Sequence, residues 1–325
     1  MKRDFFFIFL LSVFSIFFVF GNSRSCLNVS YDEYLIDRTI DLHKDTLWIP
    51  TNRLVKFAPN GIIRNGVVIF QEGEYHVEAT KEQPRCIIIG DNTEVIINGK
   101  ITLLPNELNS YCILLLKGKD IVVKGSGVIY GDKAEHFGKE GEWGHGLQIY
   151  GCGKILIDGV SIKNCWGDCI YVRNKNVDAT IKGCILDHGR RQGISITAAS
   201  TVMIENTVIE NVRGKSPQYA IDVEPNANDT IDKVLIKNVR IKDCKGGIVA
   251  SSRAKNSYVG SVEVEDCVVD GHMYYPYYFC TLPRVSVRNC KAGEGRKNIT
   301  YHDVKRFIQK NNKVVGFKKP VTQEK

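Results

Sequence analysis

The sequence predicts an all-β chain wound as a parallel β-helix, a solenoid with about 22–28 residues per rung and capped ends. Two interleaved sets of segments carry that expectation. In the first, HGLQIY (145–150), DCIYVR (168–173), QGISIT (192–197), YAIDVE (219–224) and GGIVAS (246–251) each place a small or polar start before two apolar residues at i and i+2. Their first apolar positions, Leu147, Ile170, Ile194, Ile221 and Ile248, are 23, 24, 27 and 27 residues apart. In the second, ILIDGVSIKNC (155–165), ATIKGCILDHG (179–189), VMIENTVIENV (202–212), VLIKNVRIKDC (234–244), VEVEDCVVDGH (262–272) and VSVRNCKAGEG (285–295) alternate β-branched residues and close on Asn, Asp or Gly. Two-residue alternation broken by such turns specifies strands. Repetition of two or three short strands per period specifies a solenoid. Leucine-rich repeats need regular leucines and propeller blades need longer periods, so a β-helix fits.

The elements follow in order. Lys2 and Arg3 precede an apolar run from Phe5 to Phe20 and the small or polar residues Gly21, Ser23 and Ser25, the layout of a secretory signal over residues 1–25. The run is short for a membrane span, and no later stretch reaches about 18 apolar residues. A secreted or periplasmic chain is expected. Ser23-Arg24-Ser25 does not match a lipoprotein cleavage site, so no lipid anchor is expected at Cys26. Residues 26–84 read as an N-terminal cap with its first strands, TLWIPTNRLVKFAPNGIIRNGVVIF (46–70). Residues 85–295 read as the β-helix and 296–325 as a C-terminal cap, with a short helix and strand in KRFIQKNNKVVGFKKP.

In a stacked parallel sheet, equivalent residues of neighbouring rungs lie about 4.8 Å apart and alternate between core and solvent. With the aligned aliphatics inward, one outward column reads Gln148, Tyr171, Ser195, Asp222, Val249, and the next Tyr150, Arg173, Thr197, Glu224, Ser251. The eleven cysteines show no metal-type spacing. Cys184, Cys267 and Cys290 share a column with Val160, Thr207 and Val239, and Cys165 and Cys244 another with Asp187 and Asn211, which reads as small side chains stacked in the interior. Asn and Asp at turns suit local hydrogen bonds and unusual dihedrals. The formal charge of +8 favours an anionic partner. In an exported chain that partner is expected to be an acidic polysaccharide rather than nucleic acid.

The repeats resemble the right-handed, pectate-lyase-like β-helix superfamily, and within it the polygalacturonase-like glycoside hydrolases of family 28. That family carries NTD, DD and GHG on successive rungs and RIK later. WGDCI resembles the DD rung through Asp168, and RQGISI resembles the GHG rung. His145 stands at the last acid of NTD, Gly167 at the first acid of DD and Gln192 at the histidine of GHG; GGIVASS occupies the region of RIK. Hydrolysis with inversion needs one carboxyl as acid and a separate carboxylate to activate water. The resemblance therefore implies Asp168 as a catalytic acid without its usual partners.

Asp222 and Glu224, at i and i+2, offer a replacement pair with Cα atoms roughly 6.5–7 Å apart, and their proximity is expected to raise one pKa. Arg190 and Arg191 are expected either to bind substrate carboxylates or to neutralise that pair. His188 is a candidate base. The stretch HFGKEGEWGHG (136–146) brings Glu142, Trp143 and His145 towards the same edge, with Trp143 a sugar platform beside Tyr171 and Arg173. HMYYPYYF (272–279) is a second aromatic stretch suited to stacking on sugars. These residues point to an enzyme that cleaves glycosidic bonds of an acidic, uronate-containing polysaccharide by hydrolysis. A lyase or C5-epimerase is the first alternative, with arginine or calcium neutralising the sugar carboxylate in the lyase case. A non-catalytic, glycan-binding or adhesin-type β-helix is the other. No GxxxxGK[ST], HExxH, EF-hand or GxSxG motif is present.

Overall fold

The computed structural model describes residues 31–293, 299–314 and 321–323. The expected signal segment and Cys26 lie outside them. Among the described residues there are 32 strands and no helix, hence none long and apolar enough to cross a membrane. Every pairing is parallel, in a 12-stranded sheet and a 20-stranded sheet. The larger sheet comprises two faces of the coil, joined where the 12-residue strands Ile194–Glu205, Tyr277–Arg288 and Ile299–Lys310 turn the corner between them.

The alternation in the sequence becomes stacks of side chains. On the 12-stranded sheet Ile162, Leu186, Ile209, Ile241, Val269 and Ala292 stand in register, all essentially inaccessible. On the neighbouring face the inward pairs Ile155/Ile157, Ala179/Ile181, Val202/Ile204, Val234/Ile236 and Val262/Val264 do the same. Each such aliphatic contributes about 1.5–3 kcal/mol through burial. The Val160, Cys184, Thr207, Val239, Cys267, Cys290 column is present and buried. Cys165 and Cys244 align instead with Gly189 and Val212, because Asp187 falls two positions earlier and Asn211 one.

The turns follow from backbone conformation. Asn206, Asn238, Asp266 and Asn289 occupy equivalent corners at φ between 50° and 55°, the left-handed region that Asn and Asp tolerate best after glycine. Their amides bond rung to rung: Asn238 Nδ2 donates to Asn206 Oδ1 at 2.7 Å and Asn289 Nδ2 to Asp266 Oδ1 at 3.1 Å. A second corner carries Asn164, His188, Asn211 and Asp243 at φ 53–58°.

The rung rhythm runs past residue 295. Ile299–Lys310, in which a short helix was expected to begin at Lys305, is a strand paired along its length with Tyr277–Arg288, because the preceding rung presents an open parallel edge. Lys305, Arg306 and Lys310 are exposed on it, as suits a strand near the end of a solenoid. At the other end, Glu33–Ile36, Thr46–Trp48 and Gly66–Phe70 already belong to the same two sheets.

Candidate functional site

The face carrying Trp143–Ile149, Ile170–Arg173, Ile194–Glu205, Tyr219–Val223 and Gly246–Ser251 holds three adjacent columns. Gln148, Tyr171, Ser195, Asp222 and Val249 are in register as expected, continued by Tyr278. Three residues before the first four of these lies a buried polar column of His145, Asp168 and Gln192 followed by Tyr219. On the far side a bulge between Val172 and Arg173 pairs Arg173 with Ala198, not with Thr197. Glu224 lies just past its strand, its N–H bonded to Ile196 O at 3.0 Å.

Asp222 is the centre of this face. A cleft of about 250 Å³ is lined by Arg191, Ser195, Asp222, Glu224, Asn226 and Ala254 among others. Asp222 is 4% exposed. Burial first, and the nearby Glu224 charge second, push its carboxyl up to about 8. Gln192 Nε2 donates to Asp222 Oδ2, while Gln192 Oε1 accepts the Tyr219 N–H at 2.7 Å, which fixes the amide orientation. Asp222 Oδ1 has no protein partner. Oδ2 already accepts from Gln192, so Oδ1, itself buried, is the oxygen left to carry the proton when this acid is neutral.

Asp168 is differently placed. It is inaccessible, and Arg191 Nη1 lies 3.3 and 3.2 Å from its two oxygens. Burial raises this carboxyl to about 6 despite the opposing Arg191 charge. At neutral pH it is an ionised partner of Arg191, wholly covered beside the cleft that Arg191 lines. The position that resembles the family's catalytic acid thus holds a carboxylate on the cleft side of the strands, engaged by the same Arg191 Nη1 that reaches Ser195 Oγ. His145 approaches Asp168 Oδ2 at 3.5 Å, yet this is no ion pair. His145 Nδ1 accepts the Asp168 N–H, and burial with the Arg191 and Arg85 charges lowers its pKa to about 3. Its neutral ring lies under Tyr171, centroids 4.8 Å apart.

The two arginines divide. Arg191 also stands 3.4 Å from Ser195 Oγ and 3.5 Å from Glu142 Oε2, the latter an ion pair without a formed hydrogen bond, and Glu142 reaches Lys215 at 3.5 Å. Arg190 contacts neither Asp222 nor Glu224. It donates to Gly141 O and Trp166 O at 2.9 and 3.3 Å and lies 3.6 Å over the Trp166 ring. Trp166 stacks on His136, whose Nδ1 is 2.8 Å from the buried Asp132, also bonded by Tyr111 and Asn106. This buttress holds the 131–143 segment against the turn that presents Arg191.

Other expected residues are peripheral. His188 points outward beside Asp187 at 2.5 Å and occupies the second Asn corner, so it is a turn residue and not a base in this cleft. We expect His188→Asn to change stability by less than about 0.5 kcal/mol, measured by urea denaturation, since Asn suits that φ at least as well. Arg173 lies over Tyr150 and bonds its hydroxyl at 3.3 Å. Trp143 is 53% exposed, above Ser110 and outside the cleft lining. In the 272–279 stretch Tyr277 and Phe279 are core, leaving Tyr274, Tyr275 and Tyr278 outward. The cleft wall of Pro225, Asn226, Ala227 and Ala254 was not foreseen; the Pro-Asn turn after IDVE was its one signal. A larger groove of about 750 Å³ passes Asp41, Asn65 and Glu94 near the first rungs. There Asp41 is held by Arg64 and Asn65, and Glu94 by Lys124.

Coil, register and polar columns define a right-handed β-helix protein. The family described as "Right handed beta helix region" matches residues 121–292, more than half of the chain, and the chain belongs to that family. It is similar to two proteins of Bacillus subtilis (strain 168). Uncharacterized protein YclG is 26% identical over 240 residues, covering 65% of this chain and 41% of YclG. The SPbeta prophage-derived uncharacterized protein YorA is 25% identical over 217 residues, covering 59% of this chain and 36% of YorA. The chain thus spans about two fifths of the length of these relatives. Among solved structures, PfbA, a surface adhesin of Streptococcus pneumoniae, aligns over 86% of this chain and 83% of its own at 13% identity, with a TM-score of 0.49.

Proposed function

We propose that the cleft over Asp222 is a glycan site and that the chain hydrolyses glycosidic bonds there. Asp222 gives its Oδ1 proton to the leaving oxygen, and Glu224 takes a proton from the attacking water. The observation that supports this reading is the buried Asp222, a residue of the cleft lining whose carboxyl is pushed up to about 8, with one oxygen tied to Gln192 and the other buried without a partner. An acid still protonated at neutral pH is what leaving-group protonation requires. Asp168 serves the site indirectly, as the counter-charge of Arg191. The substrate proposed is an acidic polysaccharide, in keeping with the net charge of +8. Exposed Arg253, whose Nε bonds Ser251 Oγ at 3.0 Å, flanks the lining residue Ala254 and is a cation at the rim for a substrate carboxylate.

A second reading, a non-catalytic glycan-binding surface, is favoured by one observation. Asp168, the acid at the hydrolase position, is fully engaged by Arg191, and a neutral Asp222 O–H can hold a sugar oxygen without any bond being broken. Incubation with polygalacturonate, alginate and neutral polysaccharides separates the readings. The hydrolase reading expects new reducing ends without unsaturated products, falling about 10²–10⁴-fold in Asp222→Asn. Binding without product, unchanged in that variant, establishes the scaffold reading. Unsaturated ends establish a lyase and contradict both.

A further inference from the structure

Cys267 and Cys290 stand one above the other on adjacent rungs. Val268 and Lys291, the residues that follow them, are register partners, and Lys291 N donates to Cys267 O at 2.8 Å. Both thiols point into the coil, fully enclosed, within hydrogen-bonding reach of each other. The other cysteine of this column, Cys184, lacks this arrangement, having Val160 and Thr207 as its rung neighbours. The Tyr277 hydroxyl closes the site, with two carbonyls to share its one hydrogen, Lys291 O at 3.0 Å and Cys267 O at 3.2 Å.

We propose that Cys267 and Cys290 are a disulfide-forming pair that staples two successive rungs near the C-terminal end of the coil. Rung-to-rung Cα spacing in a parallel sheet, about 4.8 Å, lies inside the range of roughly 4.4–6.8 Å that a disulfide spans. The oxidant is a small-molecule disulfide. One cysteine thiolate attacks it, releasing one thiol, and the second cysteine displaces the other, so two cysteine thiols and one disulfide become one protein disulfide and two small thiols. Bond formation takes place while the rungs assemble, because the finished coil encloses both sulfurs. The loop closed is about 24 residues, short enough for the staple to act on two rungs and not on the whole chain.

The test is oxidative refolding of the full chain from urea in a glutathione redox buffer, then alkylation, digestion and mass spectrometry. The expected result is a linked peptide pair containing Cys267 and Cys290, both protected from alkylation, with a melting temperature several degrees above that of the same chain refolded under reductant. Cys290→Ser removes the linked pair and the temperature difference but still folds under reductant. Free, alkylatable Cys267 and Cys290 after oxidative refolding, or a linkage of either to another cysteine, overturns the proposal.

Discussion

Replacing Arg191 with methionine is expected to destabilise the protein by about 3–5 kcal/mol at pH 8, and by distinctly less at pH 5. The guanidinium lies 3.2 and 3.3 Å from the carboxylate oxygens of a wholly buried Asp168. Its removal leaves that charge uncompensated. Even with Arg191 present, burial holds Asp168 at about 6, above its ordinary value of 3.8. Without it the carboxyl rises further and takes up a proton on folding, so the folded chain binds more protons than the unfolded one over a wider range. Stability then falls as pH rises through that range. Urea denaturation at the two pH values measures it. Asp168→Asn/Arg191→Met should recover most of the loss; a double variant no better than Arg191→Met would mean that the loss comes from Glu142 and Ser195 instead.

Asp222→Asn is expected to have opposite effects on stability and on activity. Asn resembles the neutral acid: its carbonyl accepts from Gln192 and its amide replaces the Oδ1–H. In the native chain the folded value of about 8 exceeds the ordinary 3.8, so Asp222 contributes a stability that is full below pH 4 and is lost as pH rises towards 8. The variant lacks this loss. It should match the native chain near pH 4 relative to their unfolded states and exceed it by roughly 2–4 kcal/mol at pH 9. Under the proposed mechanism its cleavage activity falls while substrate binding persists. Native activity should decline as pH rises through about 8.

Most of the coil could be read from alternation, because aliphatics at i and i+2 followed by Asn or Asp leave few ways to bury every rung. The register of Gln148, Tyr171, Ser195 and Asp222 followed from the spacing of Leu147, Ile170, Ile194 and Ile221 alone. The site was legible only in part. Asp222 and Glu224 announced themselves as neighbouring acids, but Arg191 reaches back to Asp168 and not forward to them, a choice made by burial depth that periodicity does not encode. Gln192 read as a missing histidine; its role appears only when the Tyr219 N–H fixes its amide. His188 drew attention as a titratable residue, whereas its φ of 56° places it among the Asn corners. Ile299–Lys310 was obscured by its charges, since a strand exposed near the end of a coil does not show the alternation of an inner one.

The proposed chemistry requires Asp222 to remain a neutral acid at physiological pH. Infrared difference spectroscopy of the native chain against Asp222→Asn across pH 4–10 tests it most directly. The expected result is a protonated-carboxyl C=O band, absent from the variant, that disappears with a midpoint near 8. A band already lost below pH 5 would show an ordinary carboxylate at Asp222 and rule it out as the proton donor.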